Sequence, residues 1–173
     1  MSRYVEIDKK DSLYKVLKFM QNCTSSNMTY ISTIRMFDGK LYATNGYAMG
    51  VYELSDEEAE QLDGITEFVF RNGMVMEKVT RLDAPKFRDV TEGQYVNTHT
   101  IIPYKGASTW AYWAFYLGKE KFIVNPEYLR VMTPVVDMFN GFNLRTDRVC
   151  CRIFGERINL YIARLNDGSF CYD

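Results

Sequence analysis

Thiols, imidazoles and clustered carboxylates most often carry catalysis or hold metals, and this sequence offers few of them at useful spacing. The cysteines are Cys23, Cys150, Cys151 and Cys171, with no CxxC pair, and His99 is the sole histidine. A zinc site of the usual Cys and His sets is therefore not expected. Cys150 and Cys151 are adjacent in a strand-like run, where neighbours point to opposite faces, so one buried thiol and one on the other face are expected. His99, in "VNTHTII", fits a loop or strand-surface position. The run Asp56, Glu57, Glu58, Glu60 has the makeup of a solvated acidic face and lacks the loop spacing of a calcium site. There is no GxSxG, no HExxH and no phosphate-binding glycine loop. The sequence predicts no catalytic residue, no metal and no cofactor, and the leading readings are non-enzymatic.

Binding chemistry is better supplied. Lys9, Lys10, Lys15 and Lys18 cluster in one segment, and Lys15 and Lys18 share a helical face. Such a face is either simply solvated or holds phosphates weakly and in a salt-sensitive way. Arg130 is the cation of a second helical segment, set against Glu127 and Asp137. In "KLYATNGYAMGVYEL" (40–54), Asn45-Gly46 between strand-like runs is a strong hairpin signal. Tyr47, Ala48 and Met49 then break the alternation, so they either begin a buried strand or are presented to a partner. The block Trp110, Tyr112, Trp113, Phe115, Tyr116 is the densest aromatic segment. Core packing is its first reading, a protein interface the second, and base stacking the last, since the block itself carries no Lys or Arg.

These groups need a scaffold, and the chain supplies a repeated one. Its 173 residues, 47% hydrophobic and 15% aromatic, suffice for one domain with a sizeable core. The net charge of −1 makes no global case for nucleic-acid binding, so any DNA contact would be a local basic face. The polar start "MSRYVEIDKKD" is no signal peptide, and no apolar run approaches membrane-spanning length, which predicts a reduced, cytoplasmic, soluble protein. "RYVEID" (3–8) reads as a strand, and the following segment as a helix. Asp11 or Ser12 caps it, and Leu13, Val16, Leu17 and Met20 form its apolar face. Strands follow at 28–37, 40–44 and 47–54. The same order recurs later: a strand at 120–125, a helix capped by Asn125 with Pro126 in its first turn, then three strands. Leu129, Met132, Val135, Val136 and Phe139 mark the apolar face of that helix, and Pro134 should end, kink or shift it. Residues 3–54 and 120–165 are thus two strand-helix-three-strand halves, a suspected duplication, with 55–119 as an insertion containing a hairpin at Asn72-Gly73. The whole of 1–173 is expected to be a single domain.

With that order in place, "GKLYATNGYAMGVYEL" resembles the ATDG-(H/Y)-RLA loop of the bacterial DNA polymerase sliding clamp, the beta subunit of the replicative polymerase. "KFIVNPEYLRVM" is similar to that family's FNPKYLLDAL segment, and "INLYIARL" to its last strand. The resemblance implies an α+β, DNA-clamp-like domain with antiparallel sheets packed on two helices. It implies helix lysines (Lys9, Lys10, Lys15, Lys18, with Arg130) facing duplex DNA phosphates without reading sequence. It also implies an apolar site at Thr44, Gly46, Tyr47, Ala48 and Met49 that takes peptides from polymerases or other replication proteins. Oligomerisation would be needed for a ring, since a bacterial clamp subunit has three such domains and this chain one. The chain departs from the pattern at Ala48, where the family has arginine, and in its second helix, which is not basic. The alternative is a clamp-fold interaction module that does not encircle DNA and uses Trp110, Tyr112, Trp113 and Phe115 as its interface.

Overall fold

In the computed structural model, residues 3–81, 91, 93–100, 125–146 and 149–164 are described. β1 (Tyr4–Glu6) leads into α1 (Ser12–Asn22), and β2 (Ile34–Phe37), β3 (Lys40–Thr44) and β4 (Ala48–Glu53) follow as a meander. A short α2 (Asp56–Gln61), the hairpin β5 (Glu67–Arg71) and β6 (Met74–Glu77), and β7 (Tyr95–Thr100) come next. Then come α3 (Pro126–Leu129), a 3-10 helix (Arg130–Met138), and a second meander of β8 (Gly141–Arg145), β9 (Cys150–Phe154) and β10 (Ile158–Ala163). The strand expected at 120–125 lies, but for Asn125, outside the described residues.

The described strands form one antiparallel sheet in the order β1-β6-β5-β2-β3-β4-β10-β9-β8-β7. The two meanders meet along β4 and β10, with Leu160 opposite Gly50 and Tyr161 opposite Met49. The antiparallel sheets of the two halves are therefore continuous with one another. Residues 67–77, which the sequence places between the halves, extend the first half: β5 pairs with β2, and β6 with β1. β7 pairs with β8 at the other end.

Local chemistry explains the first helix well. The Asp11 carboxylate accepts from the Leu13 N–H at 2.9 Å, satisfying one donor that a helix start leaves open. Leu13, Val16, Leu17 and Met20 are all buried, as their spacing predicts, and Phe19 joins them. Each such side chain stabilises the fold by roughly 1.5–3 kcal/mol relative to exposure.

The second helix differs from its expectation. Asn125 does accept from the Glu127 N–H at 3.0 Å. Only Pro126–Leu129 is α-helical, however, and the chain tightens into 3-10 geometry with a non-helical break at Val135 (φ −133°). Pro134 is the reason, since it has no N–H for the Arg130 carbonyl four residues earlier. The Thr133 hydroxyl donates to that carbonyl instead, at 2.7 Å. The tighter winding also changes the buried face, which takes Val131 and leaves Val136 half-buried.

The main core lies between the sheet and this helical layer. A second cluster of Met49, Val51, Cys150, Tyr161 and Ala163 is buried on the opposite face of the sheet. Cys150 and Cys151 therefore point to opposite faces as expected, but both thiols are buried. Burial pushes the Cys151 thiol well above its ordinary value, which makes it inert rather than nucleophilic. At the β9–β10 turn, a Cβ on Gly155 would collide with the Met138 carbonyl oxygen, so glycine lets the turn close against the 3-10 helix.

The acidic run also needs correction. Asp56, Glu57 and Glu60 are exposed, but Glu58 is buried and closes a capping box with Ser55. Its carboxylate accepts from the Tyr52 hydroxyl at 2.8 Å and from Arg157 at 2.6 Å. Arg157 also donates to the Tyr52 hydroxyl. This cluster ties α2 and β4 of the first half to the β9–β10 turn of the second. Burial pushes the Tyr52 hydroxyl up to about 12, with the Glu58 carboxylate adding to the effect. Burial alone would raise Glu58, but hydrogen bonds from Ser55 and Tyr52 and the charge of Arg157 outweigh it and hold its carboxyl below the usual glutamate value.

Candidate functional site

Two places gather the residues singled out by sequence. The first is the outer side of α1. Lys15 and Lys18 are exposed one turn apart, and Lys9 and Lys10 are exposed just before the helix. Lys18 Nζ lies 6.0 Å from the centroid of the Tyr14 ring. Lys9, Lys10 and Lys15 border a cleft of about 290 Å3 with Asp11, Ser12, Tyr52, Asp137 and Met138. The 3-10 helix runs antiparallel to α1, since Asn22 reaches the Val131 carbonyl at one end while Asp137 lines the same cleft as Lys9, Lys10 and Lys15 at the other. Arg130 is thus at the far end of the helix pair from Lys9 and Lys10. It is exposed and ion-paired with Glu127 at 3.4 Å. The exposed residues of the second segment include Glu127, Arg130, Thr133 and Asp137, so its outward side is not basic.

The second place is the turn after β3. Gly46 adopts φ +95°, a conformation that glycine enters without strain. Thr44 Oγ1 accepts from the Gly46 N–H at 3.0 Å and donates to the Ala48 carbonyl at 2.8 Å. Asn45 Oδ1 accepts from the backbone N–H groups of Tyr47 and Ala48, at 2.9 and 2.8 Å. The Tyr47 carbonyl is held by the Ala163 N–H of β10. Thr44 and Asn45 are therefore consumed in fixing the turn. Thr44, Ala48 and Met49 are buried, with Met49 in the cluster on the far face of the sheet. Of the five residues expected at the peptide site, Tyr47 alone presents its side chain, at 42% exposure.

Tyr47 is not alone in space. Its ring stacks on Tyr128 at 5.4 Å between centroids and 7° between planes. Burial, and then the neighbouring Tyr47, push the Tyr128 hydroxyl above its ordinary value. Sequence reasoning did not place Tyr128 in the site, although it lies in "NPEYL", a segment already singled out for its resemblance. The signal was present, and only the pairing of the halves was missing. Trp110, Tyr112, Trp113 and Phe115 lie outside the described residues. Among the described residues, no group of His, Cys, Asp or Glu could hold a metal ion, and no helix is long and apolar enough to cross a membrane.

A continuous antiparallel sheet carrying two antiparallel helical segments on one face defines a DNA-clamp-like α+β fold. The chain is similar to the DNA polymerase III beta subunit of Thermotoga maritima, with a TM-score of 0.52 and 9% identity, over 95% of this chain and 64% of that one. It is also similar to the Helicobacter pylori beta clamp bound to a DNA ligase peptide, with a TM-score of 0.47 and 10% identity, over 96% of this chain and 66% of that one. The likeness is one of fold, and this chain spans less than two thirds of the length of the Thermotoga protein. The sequence matches no protein-family profile and no curated protein.

Proposed function

We propose that this chain is a non-enzymatic, sliding-clamp-like accessory of DNA replication. In this reading Lys9, Lys10, Lys15 and Lys18 hold duplex phosphates loosely, and the stacked Tyr47–Tyr128 pair docks short peptides of polymerase-type partners. One observation carries it: the two segments resembling the clamp, around Tyr47 and Tyr128, converge on a single aromatic platform in a clamp-like fold. The platform is suited to an apolar anchor, because its turn is held by Thr44 and Asn45 and loses little freedom on binding. The acidic residues of the second segment favour one alternative, a clamp-fold interaction module that docks partners without encircling DNA. Light scattering separates the two, since a ring requires a homo-oligomer and a module does not.

The platform is tested with a clamp-binding peptide by fluorescence anisotropy. Tyr47→Ala weakens the peptide by about tenfold, the scale of an aromatic anchor, while Tyr47→Phe retains most affinity. An absence of binding by the unaltered protein, or an unchanged Kd in Tyr47→Ala, would remove the platform from the account.

A further inference from the structure

We infer that Asp137 is a built-in electrostatic brake on the lysine face. The inference rests on the reading of that face as a phosphate contact. The cleft at the start of α1 brings together Lys9, Lys10 and Lys15 with two carboxylates, Asp11 and Asp137. The two carboxylates are not equivalent. Asp11 accepts from the Leu13 N–H and spends its charge on the helix start, where an anion is favourable. Asp137 is exposed, belongs to the other half of the fold, and has no hydrogen bond or ion pair tying it up among the described residues. Its negative charge lines the same cleft as the lysines and offsets part of the positive field that they present to a ligand entering it.

A phosphate approaching the three lysines meets that charge. Repulsion between unit charges a few ångströms apart is about 1 kcal/mol in water, which is a several-fold effect on affinity. The consequence is a protein that binds duplex DNA more weakly than its lysines alone would allow. Weak, sequence-blind contact suits a protein that must move along the duplex. Asp137 sets that weakness from the second half of the fold.

The test measures duplex binding by anisotropy at low salt for the unaltered protein, Asp137→Asn, Asp137→Lys, and Asp38→Asn. Asp38 lies in the β2–β3 turn near Tyr42, which packs on the cluster opposite the main core, and it does not line the cleft, so its replacement changes net charge equally without altering the cleft. The expected result is about threefold tighter binding in Asp137→Asn and about tenfold in Asp137→Lys, with a salt slope steeper by roughly 0.9 in the latter. Asp38→Asn should stay within twofold, at roughly the level that a distant screened charge allows. Equal effects from Asp137→Asn and Asp38→Asn, or no effect from either, would overturn the brake while leaving the lysine contact standing. Failure of the unaltered protein to bind would overturn the lysine contact itself, and the brake with it.

Discussion

Replacing Lys9, Lys10, Lys15 and Lys18 together with alanine lowers affinity for duplex DNA by about a hundredfold or more at about 50 mM salt. The expectation follows from geometry and from the source of nonspecific affinity. All four side chains are exposed, on or just before one helix, with Lys15 and Lys18 one turn apart on its outward face. Each phosphate neutralised releases condensed counterions, and that release supplies nearly all sequence-independent affinity. None of the four contributes to the apolar core of α1, which is made by Leu13, Val16, Leu17, Phe19 and Met20. The quadruple variant should therefore keep its melting temperature nearly unchanged, so that lost binding is not lost folding. Arg130→Ala should matter less, because its charge is offset by Glu127 at 3.4 Å.

The second large effect is on stability. Glu58→Ala is expected to destabilise the fold by about 3 kcal/mol in denaturant unfolding, for separable reasons. It opens the capping box of α2, removes the acceptor of the Tyr52 hydroxyl, and leaves Arg157 without its carboxylate. The effect stays at the low end for a buried pair because the Arg157 side chain is 38% exposed. The pH dependence has a definite sign. The folded state holds the Glu58 carboxyl below its unfolded value, so its contribution is full above the ordinary glutamate pKa and is lost as pH falls through the folded value. Glu58→Gln abolishes that component, so the gap in melting temperature between it and the unaltered protein should narrow below about pH 4. A gap that widens on acidification would contradict the assignment.

The local parts of this structure were readable in the sequence because they are decided locally. The apolar spacing of Leu13, Val16, Leu17 and Met20, the Asp11 cap and the Asn45-Gly46 turn depend on neighbours a few residues away, and each appears where its chemistry required. What depended on distant partners was harder to see. Nothing in β4 or β10 taken singly specifies that they pair, yet that pairing makes one sheet of two halves. The same long-range packing buries both Cys150 and Cys151, and it buries Glu58 in the middle of a run that reads as solvated. For the site, the apolar run Tyr47–Met49 suggested a groove wall. Strand alternation instead sends Ala48 and Met49 to opposite buried faces, leaving Tyr47 outside. The side chain that meets Tyr47 comes from the second half instead, where Tyr128 stacks on its ring.

The central claim is that this clamp-like chain grips duplex phosphates through a handful of lysines and reads no sequence. The salt dependence of duplex binding tests it most directly, measured on two unrelated duplexes of equal length. The account predicts one shared line of log affinity against log salt, with a slope of roughly −3 to −4 from four lysine contacts. Affinity that is flat in salt, that differs strongly between the two duplexes, or that is absent at the lowest salt would contradict it.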